Sequence, residues 1–220
     1  MPPRPRAPRN TLSRELVVDT ALRMLDEGGI EAFGVRALAK ELGVGPMTLY
    51  TYFRGKEELL DAVRGQLLDT ASLTCLHGDW QHRVRTICQR LRQLILDHPC
   101  LIHLLSTRPL SGRDAADAAE ALLRTLTEAG FDEETAARTY TMLLGHVLGV
   151  TSLEVQLAAE HEDPDRRRHI RDTMTGLDPK RHPALVAHTA ALRRTAGGDA
   201  QFEFGLELII AGLERHTVLK

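Results

Sequence analysis

Along most of the chain, apolar residues return every three or four positions, and the polar residues between them fall on the opposite side of a 3.6-residue helix. Val17, Val18, Ala21, Leu22 and Leu25 keep this period behind Ser13, a candidate N-cap, and Gly28-Gly29 is expected to end that helix. A second, short helix is expected over 35–42, with Leu38, Ala39 and Leu42 on one face. Gly43-Val44-Gly45 then permits a sharp reversal that residues with a β-carbon resist. Pro46, with its fixed φ and missing N–H, suits the first position of the following helix, which buries Leu49 and Phe53. After Gly55, Leu59, Leu60, Val63 and Leu67 form the stripe of a longer helix.

The same period organises the remainder. Trp80, Val84, Ile87, Leu91, Leu94 and Ile95 mark an amphipathic helix that stops at His98-Pro99. A short segment covers 100–105, and a helix over 115–129 is ended by Gly130. Asp132 caps a long helix running towards Ala159, and Glu133 and Glu134 favour its N-terminus through the helix dipole. Residues 161–179 are charged and hold two prolines and a glycine, the composition of a mobile loop. Helices over 183–195 and 202–216 complete an all-α fold, with no strand pattern or repeat in competition.

The two short helices around the glycine turn carry the most chemistry. Burying Leu49 and Phe53 leaves Met47, Thr48, Tyr50, Thr51 and Tyr52 facing outward beyond Pro46. Threonine and tyrosine supply hydroxyls for phosphates, and methyl groups or ring edges for bases in a major groove. Arg36 is a candidate for a bidentate guanine contact, and Arg54 and Lys56 lie where the chain would leave the groove past a phosphate backbone. The plain alternative is a helical hairpin whose aromatic residues only pack.

With 220 residues, 43% of them apolar, the chain can build two cores. The expected organisation is a disordered basic arm over 1–10, a helix-turn-helix domain over 11–56, a connecting helix over 57–75 and a larger helical domain over 76–220. The formal net charge of −2 does not argue against nucleic acid, because residues 1–56 carry nine Lys or Arg against six Asp or Glu. Local charge, not the total, attracts phosphate. The arm, MPPRPRAPRN, is either a solvated tail or a segment that follows a minor groove or phosphates. Cys75, Cys88 and Cys100 are odd in number and lack metal spacing, and no charged-then-apolar leader precedes them, so a cytoplasmic protein without disulfides is expected. No apolar run approaches the ~20 residues of a membrane helix, and no membrane partner is expected.

GIEAF at 29–33 and LGVGPMTLYTYFRGKEELLDAV at 42–63 resemble the DNA-binding domain of the tetracycline-repressor (TetR) family of bacterial transcription regulators, over a stretch from Leu12 to about Val63. STRPL at 106–110, EAGFD at 128–132, LLGHVLG at 143–149 and FEFGLELIIAGLE at 202–214, in that order, are similar to the regulatory domain of the tetracycline-repressor branch. The resemblance implies a three-helix DNA-binding domain followed by a helical ligand-binding and dimerisation domain. It also implies that Arg36 and Thr48 lie at the bases, that Tyr50, Tyr52 and Lys56 hold phosphates, and that Met47 and Thr51 complete the exposed face. The implied partners are a palindromic double-stranded operator, a second copy of the chain and a small organic effector.

The last helix is apolar almost all round, with small residues at Gly205 and Gly212, and the long helix holds Gly145 and Gly149. A terminal helix of that composition needs two partners. In the resembled family the two helices from each subunit form a four-helix interface, to which Gly145, Gly149, Gly205, Ile209 and Gly212 are assigned here. For the effector, Thr107, Arg108 and Pro109 match a motif at the family's pocket mouth, His103 and His146 sit among apolar residues near its cavity-lining segments, and Glu154 keeps the family's spacing from His146. Leu91, Leu105 and Met142 are candidate apolar walls. Two departures matter: Leu104 stands where the tetracycline repressor has a metal-binding histidine, and its ligand-binding asparagine falls near Ile87. A mainly apolar organic effector is therefore expected, with no metal and no cofactor, since a hard cation needs several converging oxygens. Two other functions remain open on the sequence: a helical small-molecule enzyme using His103, His146 and Glu154 for acid–base chemistry, and a DNA-binding protein with no effector.

Overall fold

The computed structural model describes residues 12–71, 73, 77–107 and 113–218, and these form eleven helices and no strand. The expected arm, and Arg108 and Pro109, lie outside the described residues. Two compact units emerge: the first joins the chain up to Leu76 with Gln93–Leu122, and the second joins His77–Arg92 with Leu123–Lys220. The units therefore do not follow a single cut in the sequence, because 93–122 packs with the N-terminal helices.

In the first unit, α1 (Arg14–Ala32) begins at Ser13, whose Oγ accepts a hydrogen bond from the Leu16 N–H at 3.1 Å. Gly28-Gly29 does not end it. Gly29 adopts φ 71°, kinking the backbone, and a last turn runs on to Ala32. Val17, Val18, Ala21 and Leu25 are buried, as the helical period requires, and α1 packs against α4 (Lys56–Thr70). Each such valine or leucine side chain stabilises the fold by ~1.5–3 kcal/mol relative to an exposed one. Between them lie α2 (Val35–Glu41) and α3 (Pro46–Leu49), joined by a turn in which Gly43 takes φ 68°. The segment expected over 100–105 is a full helix, α6 (Cys100–Thr107), packed on α1 and α4. It is fastened at its start by Asp26 of α1, which meets His98 Nδ1 at 2.9 Å and accepts from Cys100 Sγ at 3.8 Å.

The second unit is built on α8 (Glu133–Glu162) and α11 (Asp199–Val218), with Leu143, Val147, Phe202, Leu206, Ile210 and Leu213 buried. Asp132 caps α8 through the Thr135 N–H at 2.8 Å. The stretch of α5 (Trp80–Asp97) before Gln93 belongs here, as does α7 (Arg113–Glu128) from Leu123 onward. Trp80 meets Phe131 edge-on at 5.3 Å between ring centres. The charged stretch 161–179 is not a loop. Asp163 accepts from the Asp165 N–H at 2.9 Å and Pro164 opens α9 (Pro164–Thr175), so a cap and an N1 proline start a helix there. Only 176–182 connects it to α10 (Pro183–Thr195), which runs over the expected residues.

One expectation about membranes is corrected. Within α8, the 28 residues of Glu133–Glu160 are long and apolar enough, by length and composition, to cross a bilayer. A search for unbroken apolar runs misses them because Gly, Thr and His interrupt the run without adding charge. Polar groups of the same helix are used inside the unit: His146 Nε2 bonds the Phe202 carbonyl at 3.0 Å, and Glu154 pairs with Arg92 at 2.8 Å.

At Gly205, α11 lies close against the His146 side chain of α8. A β-carbon there would collide with the His146 imidazole, which stacks on Phe202 at 5.2 Å with 29° between the rings. The absent side chain at Gly205 is thus required by contacts within its own chain. Gly205→Ala should destabilise the folded chain by ~1–3 kcal/mol, a typical overpacking cost. Urea unfolding checks this, and adding His146→Ala should recover part of the loss. A neutral Gly205→Ala variant would show that this contact is not tight.

Candidate nucleic-acid interface

The reading turn is built from its glycines outward. The Val44 N–H donates to the Ala39 carbonyl at 2.9 Å across the Gly43 turn, and the Thr48 N–H donates to the Gly45 carbonyl at 2.9 Å. Leu38, Ala39, Leu49 and Phe53 are buried beneath. The second helix is shorter than the pattern implies: after four residues α3 gives way to a turn, in which the Tyr52 and Phe53 N–H groups both donate to the Leu49 carbonyl, at 3.0 and 3.1 Å. Pro46, Met47, Thr48, Tyr50 and Thr51 are exposed, Met47 by 76%, and Arg36 on α2 is exposed as well. An exposed methionine and tyrosine beside two threonines form a surface with hydroxyls, methyls and a ring edge but no charge of their own. Thr51 Oγ1 donates to the Thr48 carbonyl at 2.6 Å, so its proton is already used.

Tyr52 and Lys56 are only half exposed, and each has a partner that sequence reasoning missed. The Tyr52 hydroxyl donates to the Leu12 carbonyl at 2.8 Å. Phosphate oxygens only accept, so Tyr52 can donate to a phosphate only by giving up Leu12. The Lys56 ammonium donates to the Phe33 carbonyl at 2.9 Å and lies 5.6 Å from the centre of the Phe33 ring. Two of its three N–H groups remain for other acceptors. Arg14 lies over the Phe53 ring, 4.7 Å from its centre. These pairs are separated by 23 to 40 residues and leave no trace in the local pattern.

The electrostatics of this unit are sided. Between α1 and α4 a cleft of about 440 Å³ is lined by Glu15, Glu58, Asp61 and Asp69 with Arg14. That face repels phosphate, whereas Arg36, Arg54 and Lys56 accompany the exposed turn. On α4, Arg64 is 1% exposed; its Nη2 donates to Asp61 at 3.0 Å and its Nη1 to the Leu104 carbonyl of α6 at 3.5 Å. Burial pushes the thiols of Cys88 and Cys100 up to about 12, with a carboxylate neighbour adding to the rise in each, so both are neutral thiols near pH 7.

The residues expected at an effector divide between the units. His103 and Thr107 are exposed on α6, where the Thr107 hydroxyl donates to the His103 carbonyl at 2.8 Å, while Leu105 is buried. Leu91 is half-buried on α5 and Met142 is exposed on α8. His146 is occupied by Phe202, and both Glu154 oxygens accept from Arg92 Nη2, at 3.0 and 2.8 Å. Arg92 also pairs with Asp199 at 2.8 Å and covers the Phe202 ring at 5.1 Å. Among the described residues, no three His, Cys, Asp or Glu converge to hold a metal ion. Of the glycines assigned to dimerisation, Gly145, Gly149 and Gly212 face open space within one chain, and Ile209 is half-buried.

Comparison with known proteins accounts for this arrangement. Residues 17–63 match the model of bacterial regulatory proteins of the tetR family, and residues 76–217 match the tetracyclin repressor-like C-terminal domain. The tetracycline repressor protein class C of Escherichia coli is 33% identical over 211 residues, covering 94% of this chain and 92% of that protein. ActR of Streptomyces coelicolor, solved in complex with actinorhodin, superposes with a TM-score of 0.74 at 28% identity, covering 96% of this chain and 99% of its own. BioQ, solved with its double-stranded DNA operator, superposes with a TM-score of 0.65 at 27% identity, covering 92% and 98%. The exposed turn on its buried helical base and the larger helical unit thus have one origin: the chain belongs to the tetR family of bacterial regulatory proteins and is a DNA-binding transcriptional regulator.

Proposed function

We propose that this protein is a homodimeric repressor, held on a palindromic operator and released by a small, mainly apolar organic effector. The observation that carries this is the buried bond from Arg64 on α4 to the Leu104 carbonyl on α6, which ties the helix supporting the reading turn to a helix with exposed polar groups at His103 and Thr107. An effector acting on α6 then moves α4 and the reading turn with it. In a twofold dimer the two turns must meet successive major grooves ~34–36 Å apart, so a small displacement lowers affinity for both half-sites together. ActR bound to actinorhodin and BioQ bound to its operator support the two halves of this proposal by kinship. Leu104 and Ile87, in place of the family's metal-binding histidine and ligand-binding asparagine, favour an effector other than a metal chelate.

The second copy docks on one face of α8 and α11. Met142, Gly145, Gly149 and Leu153 form an exposed stripe on α8, and Phe204 and Leu208, 61% and 60% exposed, continue it on α11. Met142 accordingly belongs to this face and not to an effector wall. The protein acts by binding, not catalysis: two of the three groups that an acid–base enzyme would use, His146 and Glu154, are spent on Phe202 and Arg92. Its site of action is the cytoplasm, where operator DNA is.

At the operator, Arg36 and Thr48 lie at base edges, Met47, Tyr50, Thr51 and Pro46 line the groove, and the free N–H groups of Lys56 meet a phosphate. Removing Arg36 should cost ~1–3 kcal/mol and relax preference at one base pair, and removing Lys56 should weaken all sequences alike and lower the salt dependence by about one counterion. Fluorescence anisotropy across a salt series, on a duplex selected by the protein from a random pool, measures both. Unchanged affinity in a folded Arg36→Ala, Lys56→Ala double variant would reject the interface. Gly149→Leu should leave helix content intact while raising the dimer dissociation constant in sedimentation experiments. A wild type that is monomeric at micromolar concentration yet binds a two-half-site duplex tightly would reject the dimer.

A further inference from the structure

We propose that Arg14, at the start of α1, is a further phosphate contact of the DNA-binding unit, and that Tyr52 is the residue that positions it beside the reading turn. This contact rests on the reading of that turn as the face that meets DNA, and it comes from a helix outside the turn. Arg14 is exposed and lies over the Phe53 ring, 4.7 Å from its centre. An aromatic ring attracts a cation through its face and takes none of its N–H groups, so the donors along the edge of the guanidinium stay available. Among the described residues Arg14 makes no salt bridge, although Glu15, Glu58, Asp61 and Asp69 share its cleft. Arg23, farther along the same helix, is instead spent on Glu27 and Glu41, at 3.3 and 2.8 Å. Lys56 repeats the open arrangement over Phe33. A guanidinium that keeps its fork of N–H groups is suited to a bidentate grip on phosphate.

Tyr52 and Phe53 are fixed to the reading turn by their own N–H groups, which both donate to the Leu49 carbonyl. From there the Tyr52 hydroxyl reaches back 40 residues and donates at 2.8 Å to the carbonyl of Leu12, just ahead of Ser13 and Arg14. Ser13 is tied into α1, its Oγ accepting from the Leu16 N–H and its carbonyl from the Val17 N–H, each at 3.1 Å. The backbone that carries Arg14 is therefore held to the turn at Leu12 and to α1 at Ser13, while Phe53 holds the side chain. A phosphate oxygen offers no proton, so Tyr52 cannot bond one while Leu12 keeps its hydroxyl. Tyr52 is then a positioning residue, and its effect on DNA passes through Arg14.

The test uses the full chain as wild type, Arg14→Gln, Tyr52→Phe and the double variant of these two, with Lys56→Ala and Arg23→Gln as references. Binding is measured on a duplex selected by the wild type from a random pool and on an unselected duplex, over ~50–200 mM salt. Arg14→Gln should weaken both duplexes several-fold alike, and the slope of log K against log salt should become shallower by ~0.9, the value of one phosphate contact. Arg23→Gln removes the same charge from the same helix and should leave the slope as it is. Tyr52→Phe should weaken the wild type several-fold but leave the Arg14→Gln variant unchanged. A wild-type slope in Arg14→Gln, or an equal change of slope in Arg23→Gln, overturns the Arg14 contact. No loss from Tyr52→Phe in the wild type, or an equal loss in both backgrounds, overturns its positioning role. If Lys56→Ala changes the slope and Arg14→Gln does not, the Arg14 contact alone fails; if neither changes it, the reading turn as the DNA-facing surface fails, and Arg14 with it.

Discussion

A guanidinium held out of water is the constraint on which the DNA-binding unit depends. Burying a charge is costly unless it is paired and hydrogen-bonded. Arg64 meets that condition with Asp61 one turn earlier on α4 and with a main-chain carbonyl on α6. Because the acceptor on α6 is backbone, no substitution at Leu104 removes it, and a shift of α6 along α4 would cost Arg64 this second acceptor while leaving its Asp61 pair in place. The Asp26 contacts to His98 and Cys100 fasten the same helix to α1. The reading turn, α1, α4 and α6 thus pack within one unit, and in the proposed mechanism a displacement of α6 would be felt directly by α4.

The second unit applies similar logic with different chemistry. His146, Phe202 and Gly205 lock α8 to α11 on one side, and Arg92 bridges Glu154 and Asp199 on another. With those faces satisfied internally, the apolar stripe from Met142 to Leu153 and the pair Phe204 and Leu208 are left outward. His146, Glu154 and Gly205, which the sequence assigns to an effector or a partner, each make a close contact within this chain.

How much of this was legible depends on how local its cause is. Pro183 at N1, Ser13 and Asp132 as caps, and the Gly43 turn are decided within four residues of themselves, and their helices begin where the pattern places them. Gly29 misled because a single left-handed residue can kink a helix without stopping it, and 161–179 misled because charge was weighed above the Asp163-Pro164 start signal. The exposed face of the reading turn was legible, since it is the complement of Leu49 and Phe53. The partners of Tyr52, Lys56, Glu154 and Gly205 were not. Two of them are main-chain carbonyls, which every residue has, and all are set by tertiary packing that periodicity does not encode.

The most direct test removes the Arg64 clasp without leaving a hole. Arg64→Met keeps an apolar stem of similar length, a replacement that buried charges often tolerate. A ligand found by thermal shift would be titrated into wild type and variant, each with and without the selected duplex. Reciprocal linkage requires DNA to weaken ligand binding in the wild type, by ~5–150-fold if coupling has its usual size. In a folded, DNA-binding Arg64→Met variant that ratio should fall towards one. An undiminished ratio in the variant, or equal ligand affinity with and without DNA in the wild type, would contradict control of the reading turn through α6 and α4.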